Sequence, residues 1–405
     1  MIRPNLPNRP NQPQTLTSEG GQWTRRGLLW GFAALAAEGL ACRNLFRHGE
    51  PAPRDGGARF DGTPITKLGD FLTPTPKLFV RDHFGVPDLA KLPTQDWALS
   101  VGGDVEHPLE IRLSDLADLA RLAAPVLLEC AGNAGRNGIG WPGAGRAWVG
   151  AGTSIFAGFS LAALLRRAAP RASVQEIVLS GADAGAERGS NERHTFARSV
   201  PLRAALLDSA ILATEMNGEP LPRRHGGPLR AIFPSRYATD SVKWLTRIEA
   251  LSHPFDGFYQ KERYRRATPA DPTGQSLGEL RVQSEISKPR AGQRLPMGLT
   301  VEVLGVAWAG PVGLDRVEVS ADGGQTFSIA NFLDPERPGC WRRWRWLWRP
   351  TQAGPRLLMA RATDRGGQTQ PLESEEELGM SYSLSGPDRI QYANNTVPLV
   401  PVTVT

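Results

Sequence analysis

Cysteine is scarce. Three thiols, Cys42, Cys130 and Cys340, are spread over 405 residues, too few for a disulfide framework. No CxxC pair, CxxCH haem-attachment motif or histidine-rich metal box occurs, and there are only six histidines. Covalent c-type haem and dithiol redox chemistry are thereby excluded, so redox chemistry would need a less common cofactor or one thiolate ligand. Long apolar runs are equally lacking beyond the first forty or so residues, and no segment is expected to span a membrane stably. Acidic charge is in the minority: 47 basic against 41 acidic residues give a net charge of +6, which favours anionic ligands or partners. Glycine (44) and proline (34), by contrast, are plentiful. They predict many turns and short strands rather than a helical bundle.

The chain divides by composition. Residues 1–42 carry paired Arg25 and Arg26 directly before the apolar run Leu28 to Ala37. This is the pattern of a twin-arginine export signal, and it implies a periplasmic protein that folds before export. Residues 43–60 form a Pro- and Gly-rich linker. From 61 to 264, strand-like runs such as APVLLEC and EIVLSG alternate with short helices expected after Ser114 and Ser160, whose hydroxyls can cap a first turn. A second linker is expected over 265–284. Residues 285–405 are short alternating strands, with a hairpin signal at Asp322-Gly323, and predict an immunoglobulin-like β-sandwich. The fold class expected is therefore α+β, a mixed α/β domain followed by a sandwich.

The stretch LLECAGNAGRNGIGW places Cys130 at the end of an apolar strand and the mouth of a glycine-rich loop. Three readings compete: a small buried hydrophobe, a nucleophile, and a thiolate ligand for a soft or high-valent metal. Spacing alone does not choose between them. Five blocks in order do: LFVRDHFGVPDL, LLECAGN, TFARSVPLRAALL, TEMNGEPLPRRHGGPLRAIFP and SVKWLTRIE. Together with VEVSADGGQTF and WRWLWRP downstream, they resemble the sulfite oxidase family of molybdopterin-dependent oxidoreductases over roughly residues 70–405.

That resemblance implies that Cys130 is the protein's ligand to molybdenum. It further implies that Arg81, Asp82, His83, Asp183, His225, Arg230, Ser241 and Lys243 surround the molybdopterin. Arginine and lysine suit its phosphate through charge-assisted hydrogen bonds. The substrate pocket departs from the family. Arg136 lies six residues past the cysteine rather than five. Phe156 and Phe196 align with the family's pocket tryptophan and tyrosine, leaving Arg198 as the new polar group nearby. The resemblance implies sulfite oxidation, with Arg81 and Arg136 orienting the anion, electrons passing to an external acceptor such as a c-type cytochrome, and a homodimer built on the C-terminal domain. No haem-binding domain is visible at either end of the sequence. Alternatives are the same cofactor acting on another oxyanion, a sulfoxide reductase, or a cofactor-free binding protein. The run CWRRWRWLWRP (340–350) invites a nucleic-acid or membrane reading, but alternating Trp344, Trp346 and Trp348 fit one face of a strand. Arginine cation–π stacking is expected as a supplement there, Cys340 is expected to be an inert thiol, and no nucleic acid is expected as a partner.

Overall fold

The computed structural model describes residues 59–67, 69–88, 94–133, 150–187, 191–268, 271–372 and 392–405. The export-type segment, nearly all of the first linker and Arg136 lie outside the described residues. Strands dominate what is described, and the longest described helix, Leu161–Ala168, has eight residues. The expected α+β balance is therefore corrected to a mostly β architecture. Glycine and proline density shortens every helix, and the β-branched and aromatic runs pair instead.

Two sheets build the first half. One orders Leu109–Arg112, Ala98–Gly103, Leu245–Leu251, Glu176–Ala186 and Arg193–Pro201, with only Ala98–Gly103 and Leu245–Leu251 parallel. In the other, Arg121–Glu129 pairs along its whole length with Ala151–Ser160, which pairs with Ile211–Met216, which in turn pairs with Arg230–Ile232. The helix after Ser160 forms as expected. Its N-terminal cap is the Ser160 hydroxyl, which accepts from the Ala163 amide at 3.1 Å. Leu161, Leu164, Leu165 and Ala168, at helical spacing, are all fully buried. The helix expected after Ser114 does not extend. A 3-10 turn, Leu113–Asp118, is held by Asp115 accepting from the Arg112 amide, and the chain then enters the strand Arg121–Glu129.

The second half is two sheets closing on one core. Gln283–Lys288, Val301–Trp308, Arg342–Trp348 and Asn331–Phe332 form one sheet. Leu314–Ser320, Gly354–Asp364 and Leu399–Val404 form the centre of the other, whose edge pair Arg294–Leu295 with Leu399–Val404 is parallel. Val303 and Trp344 from the first sheet meet Val317, Leu358 and Val402 from the second. The immunoglobulin-like label thus gives way to a two-sheet β domain. The Asp322-Gly323 hairpin forms: Gly323 and Gly324 take positive φ, and Asp322 Oδ1 accepts the Gln325 and Thr326 amides. Trp344 is fully buried while Trp346 and Trp348 stack at 6.2 Å, so the aromatic run is a strand as expected. The expected arginine stacking is different in detail. Arg343 pairs with Asp334 and Arg345 with Glu302, and it is Arg342 that lies over a ring, that of Phe332 at 3.6 Å.

The segment expected to be a linker is an antiparallel hairpin, Arg265–Thr268 with Asp271–Ser276. It is stapled to the first half by Arg198, a correction to the expectation that Arg198 joins the substrate pocket. Its guanidinium is fully buried, pairs with Asp240 at 2.9 Å, and donates to the carbonyls of Tyr259 and Leu277 and to Ser276 Oγ. Five strong donors on one fixed fork suit this job, whereas a substrate role would leave them short of acceptors. Arg198→Met should cost about 3 kcal/mol or more in urea unfolding, because Asp240 and two carbonyls lose a buried partner. A loss under ~1 kcal/mol would show that the staple is dispensable.

Candidate active site

One cavity gathers most of the expected residues. Arg81, Asp82, His83, Cys130, Asp183, Phe196, His225, Arg230, Ser241 and Lys243 all line it. They arrive from separate elements. Arg81 and Asp82 lie on the strand Val80–Asp82, Cys130 just past Arg121–Glu129, Asp183 and Phe196 on two neighbouring strands, and His225 on the turn Arg223–His225. Phe156 is not among them. It is fully buried in the sheet, opposite Ala124 and Met216, so the position aligned with the family's pocket tryptophan is core here.

Positive charge is concentrated and desolvated. Arg230 Nε donates to the Ser241 carbonyl at 3.0 Å and its Nη1 to the His225 carbonyl at 2.9 Å, and burial pushes its pKa down to about 9. The Lys243 ammonium rests on the Asp82 carboxylate and the Arg81 carbonyl. Burial and the neighbouring Arg81 charge press it well below its ordinary value, and the Asp82 carboxylate works the other way. Gly226, at φ 108°, admits that side chain, since a Cβ there would sit 2.8 Å from Lys243 Cβ. His225 Nε2 meets the Thr75 carbonyl at 3.2 Å. Burial, then the Arg230 charge, lowers its pKa to about 4. Burial likewise raises the Cys130 thiol, which a coordinating metal would deprotonate.

The residues fit a molybdenum–pterin group. Asp183 Oδ1 and Thr239 Oγ1 are buried facing the same cavity without a hydrogen-bond partner, and burial pushes the Asp183 carboxyl up to about 7. Unpartnered buried acceptors and donors beside desolvated cations are costly unless a polar, anionic ligand meets them. Cys130, Lys243, Arg230 and His225 would hold it.

Several cavity residues were not foreseen. Arg224, Thr239 and Tyr264 also line it. Glu187 accepts from His83 Nδ1 at 2.6 Å, from the Tyr259 hydroxyl at 2.6 Å and from Arg263 at 3.2 Å. His83 Nε2 meets the Tyr264 hydroxyl at 2.6 Å. Tyr264 has φ 42°, a conformation costing a bulky side chain on the order of 1 kcal/mol or more. Thr239 sits two residues before Ser241, a proximity visible in the sequence. Tyr264 stands directly before the supposed linker, at the end of the first domain, where nothing local marked it.

The second domain braces the cysteine strand. Glu129, adjacent to Cys130, is buried and accepts from Trp308 Nε1 at 2.8 Å and from Asn133 Nδ2 at 3.2 Å. The Leu127 amide donates to the Gly339 carbonyl at 2.7 Å, and Cys340 Sγ to the Pro125 carbonyl at 3.0 Å. Cys340, expected to be an inert thiol, is buried, and burial pushes its pKa up to about 12.

Fold and site together define a molybdopterin-binding oxidoreductase. Residues 83–259 match the family described as oxidoreductase molybdopterin binding domain, and residues 275–383 the Mo-co oxidoreductase dimerisation domain. Sulfite oxidase from Gallus gallus is 33% identical over 360 residues, covering 80% of this chain and 74% of that protein. Mitochondrial sulfite oxidase from Homo sapiens is 32% identical over 341 residues, covering 77% and 60%. Nitrate reductase from Pichia angusta is 30% identical over 67% of this chain and 34% of its own. The sulfane dehydrogenase SoxCD of Paracoccus pantotrophus shares the fold, with a TM-score of 0.71, 23% identity and coverage of 96% and 92%. The chain belongs to the sulfite oxidase family, and its cofactor is molybdenum–molybdopterin. It spans 60% of the length of the human relative.

The lowered pKa of His225 has a testable consequence. Folded, the ring stays neutral down to about pH 4, while the unfolded chain takes up a proton near 6.5. The unfolded state therefore binds more protons in that window, and stability is lost as pH falls through it; Asp183, shifted upward, contributes with the opposite sign. In the cofactor-free protein, the stability advantage of wild type over His225→Gln should narrow by about 1–2 kcal/mol between pH 7 and pH 5. Parallel urea unfolding curves of the two proteins would check it, and a constant gap would contradict a buried neutral ring.

Proposed function

We propose that the protein is a sulfite dehydrogenase, oxidising sulfite and water to sulfate with release of two electrons and two protons. Arg81 and Cys130 share one cavity, with Phe196 and Tyr264 in its aromatic wall, and this supports the reading. When bound, the cofactor supplies two-electron redox and oxygen-atom transfer chemistry. The protein does the rest. Arg81 attracts and orients the anion at the thiolate side; Arg136, outside the described residues, is proposed as its partner. Lys243, Arg230 and His225, with Ser241 and Asp183, hold the cofactor's phosphate and polar edges. Phe196, which carries no hydroxyl, helps keep water out, so electrostatic positioning carries more of the transition-state stabilisation.

Electrons pass to an external acceptor, for which we propose a c-type cytochrome. The dimerisation domain supports a homodimer, and the paired Arg25 and Arg26 support twin-arginine export to the periplasm. A second reading, another oxyanion as substrate, is favoured by the phenylalanine at position 196 and by the similarity to nitrate reductases.

Sulfite added anaerobically to the cofactor-loaded protein should change its optical spectrum within turnover time, as the metal is reduced. Arg81→Gln should raise KM for sulfite by about tenfold or more with a smaller effect on kcat. An unchanged spectrum with sulfite, together with a change on another oxyanion, would sink the sulfite reading.

A further inference from the structure

Among the described residues, the phenol lining the cavity beside Cys130 is that of Tyr264, not of the segment where the family carries its pocket tyrosine. Position 196 there is phenylalanine, its ring stacked on His83 at 5.5 Å and 24°. Tyr264 stands directly before the hairpin arm Arg265–Thr268, beside Arg198. The Arg198 guanidinium lies 5.7 Å over its ring, the Leu277 amide donates to its carbonyl at 2.8 Å, and Tyr392 packs against it at 4.9 Å. Its positive φ is imposed by this surrounding structure.

The charge on Glu187 sets the direction of the Tyr264 hydrogen bond. Glu187 receives three donors, from His83, Tyr259 and Arg263. Burial alone would raise its pKa, but the hydrogen bonds from His83 and Tyr259 and the Arg263 charge hold it below its ordinary value, so it is a carboxylate and accepts from all three. His83 therefore donates through Nδ1. Burial, then the Arg81 charge, keeps that ring neutral, so Nε2 carries a lone pair. The 2.6 Å contact between Nε2 and the Tyr264 oxygen then needs Tyr264 to donate its hydrogen to His83. With that hydrogen committed, the phenol oxygen offers the cavity lone pairs only.

We infer that Tyr264, oriented by Glu187 and His83, acts as a hydrogen-bond acceptor that selects an oxyanion carrying a hydrogen, hydrogensulfite rather than the bare sulfite dianion. This rests on the reading that the cavity takes a small oxyanion. Arg81 supplies the charge attraction, common to any anion, and Tyr264 supplies the discrimination. An anion without a hydrogen would set its oxygen against the phenol oxygen, two acceptors facing each other, and a mismatched buried polar pair discriminates more strongly than a missing contact.

The test uses two tetrahedral oxyanions of similar size that are not substrates. At pH 7 inorganic phosphate carries at least one hydrogen and sulfate carries none. Calorimetric titration of the cofactor-loaded protein should show phosphate bound about tenfold more tightly than sulfate. Tyr264→Phe should bring the two affinities within about twofold of each other, chiefly by weakening phosphate. Equal binding of both anions by wild type, a preference for sulfate, or an undiminished phosphate preference in the variant would overturn the inference. Should the variant fail to load cofactor, histidine nitrogen shifts in the ¹⁵N-labelled wild type carry the test, with His83 assigned by the signal lost in His83→Gln. An unprotonated Nε2 with a protonated Nδ1 is the expected result, and a protonated Nε2 would overturn it. Neither experiment depends on turnover. A protein that prefers phosphate through Tyr264 yet is not reduced by sulfite would retain the acceptor and lose the proposed reaction, and the converse result would do the reverse.

Discussion

Desolvated positive charge beside a thiol is the constraint on which the rest of the structure depends. Arg230 and Lys243 are held where burial weakens their charged forms, and isolated buried cations cost several kcal/mol each. Their protein partners cover only part of that cost. Lys243 has the Asp82 carboxylate, whereas Arg230 has carbonyls alone in its hydrogen bonds to His225 and Ser241. The cavity is therefore built for an anionic group with many hydrogen-bonding edges, and the unpartnered Asp183 and Thr239 oxygens point the same way. A pterin carrying a phosphate and two thiolate sulfurs answers each of these demands.

The second domain is tied to this requirement, not appended to it. Trp308 satisfies the carboxyl of Glu129, one residue before the thiol, and Gly339 and Cys340 bind the backbone of the same strand. Burial raises Glu129 to about 7, so without the indole this carboxyl would be a buried acceptor short of a donor. Asn133 links Glu129 to the Gly150 amide, where the chain returns to the sheet. The position of Cys130 thus depends on contacts made about 180 residues downstream, between Glu129 and Trp308, which is how a domain matched as a dimerisation unit also shapes a metal site.

Much of this was legible in the sequence, for identifiable reasons. Motifs that carry chemistry are local: VRDH, RRHGGPLR and SVKW each place two or three functional groups within a few residues, CAGN places Cys130, and these groups share the cavity. Capping and turn chemistry are local too, so the Ser160 helix and the Asp322 hairpin were readable. What failed depended on partners distant in sequence. Arg198 looked like a pocket group because it follows Phe196 by two on one strand, but its guanidinium is fully buried and does not line the cavity. Its real partners, Asp240 and the carbonyls of Tyr259 and Leu277, are 42 to 79 residues away. Phe156 was misplaced because alignment gives order and not facing. Tyr264 was missed because it stands just before a segment rich in Pro, Gly and Thr, which has the composition of a linker while its backbone pairs as a hairpin. The helical share was overestimated because short apolar runs such as DLADLARL suit a helix or a turn followed by a strand, and pairing with Ala151–Ser160 decided it.

The central claim, that Cys130 is the protein's own bond to molybdenum, is tested most directly by X-ray absorption at the molybdenum edge of the purified wild type and of Cys130→Ser. Loss of one sulfur neighbour from the metal in the variant is the result predicted here. An unchanged sulfur count, with metal still bound, would contradict it and leave Cys130 a buried thiol beside a site organised by other groups.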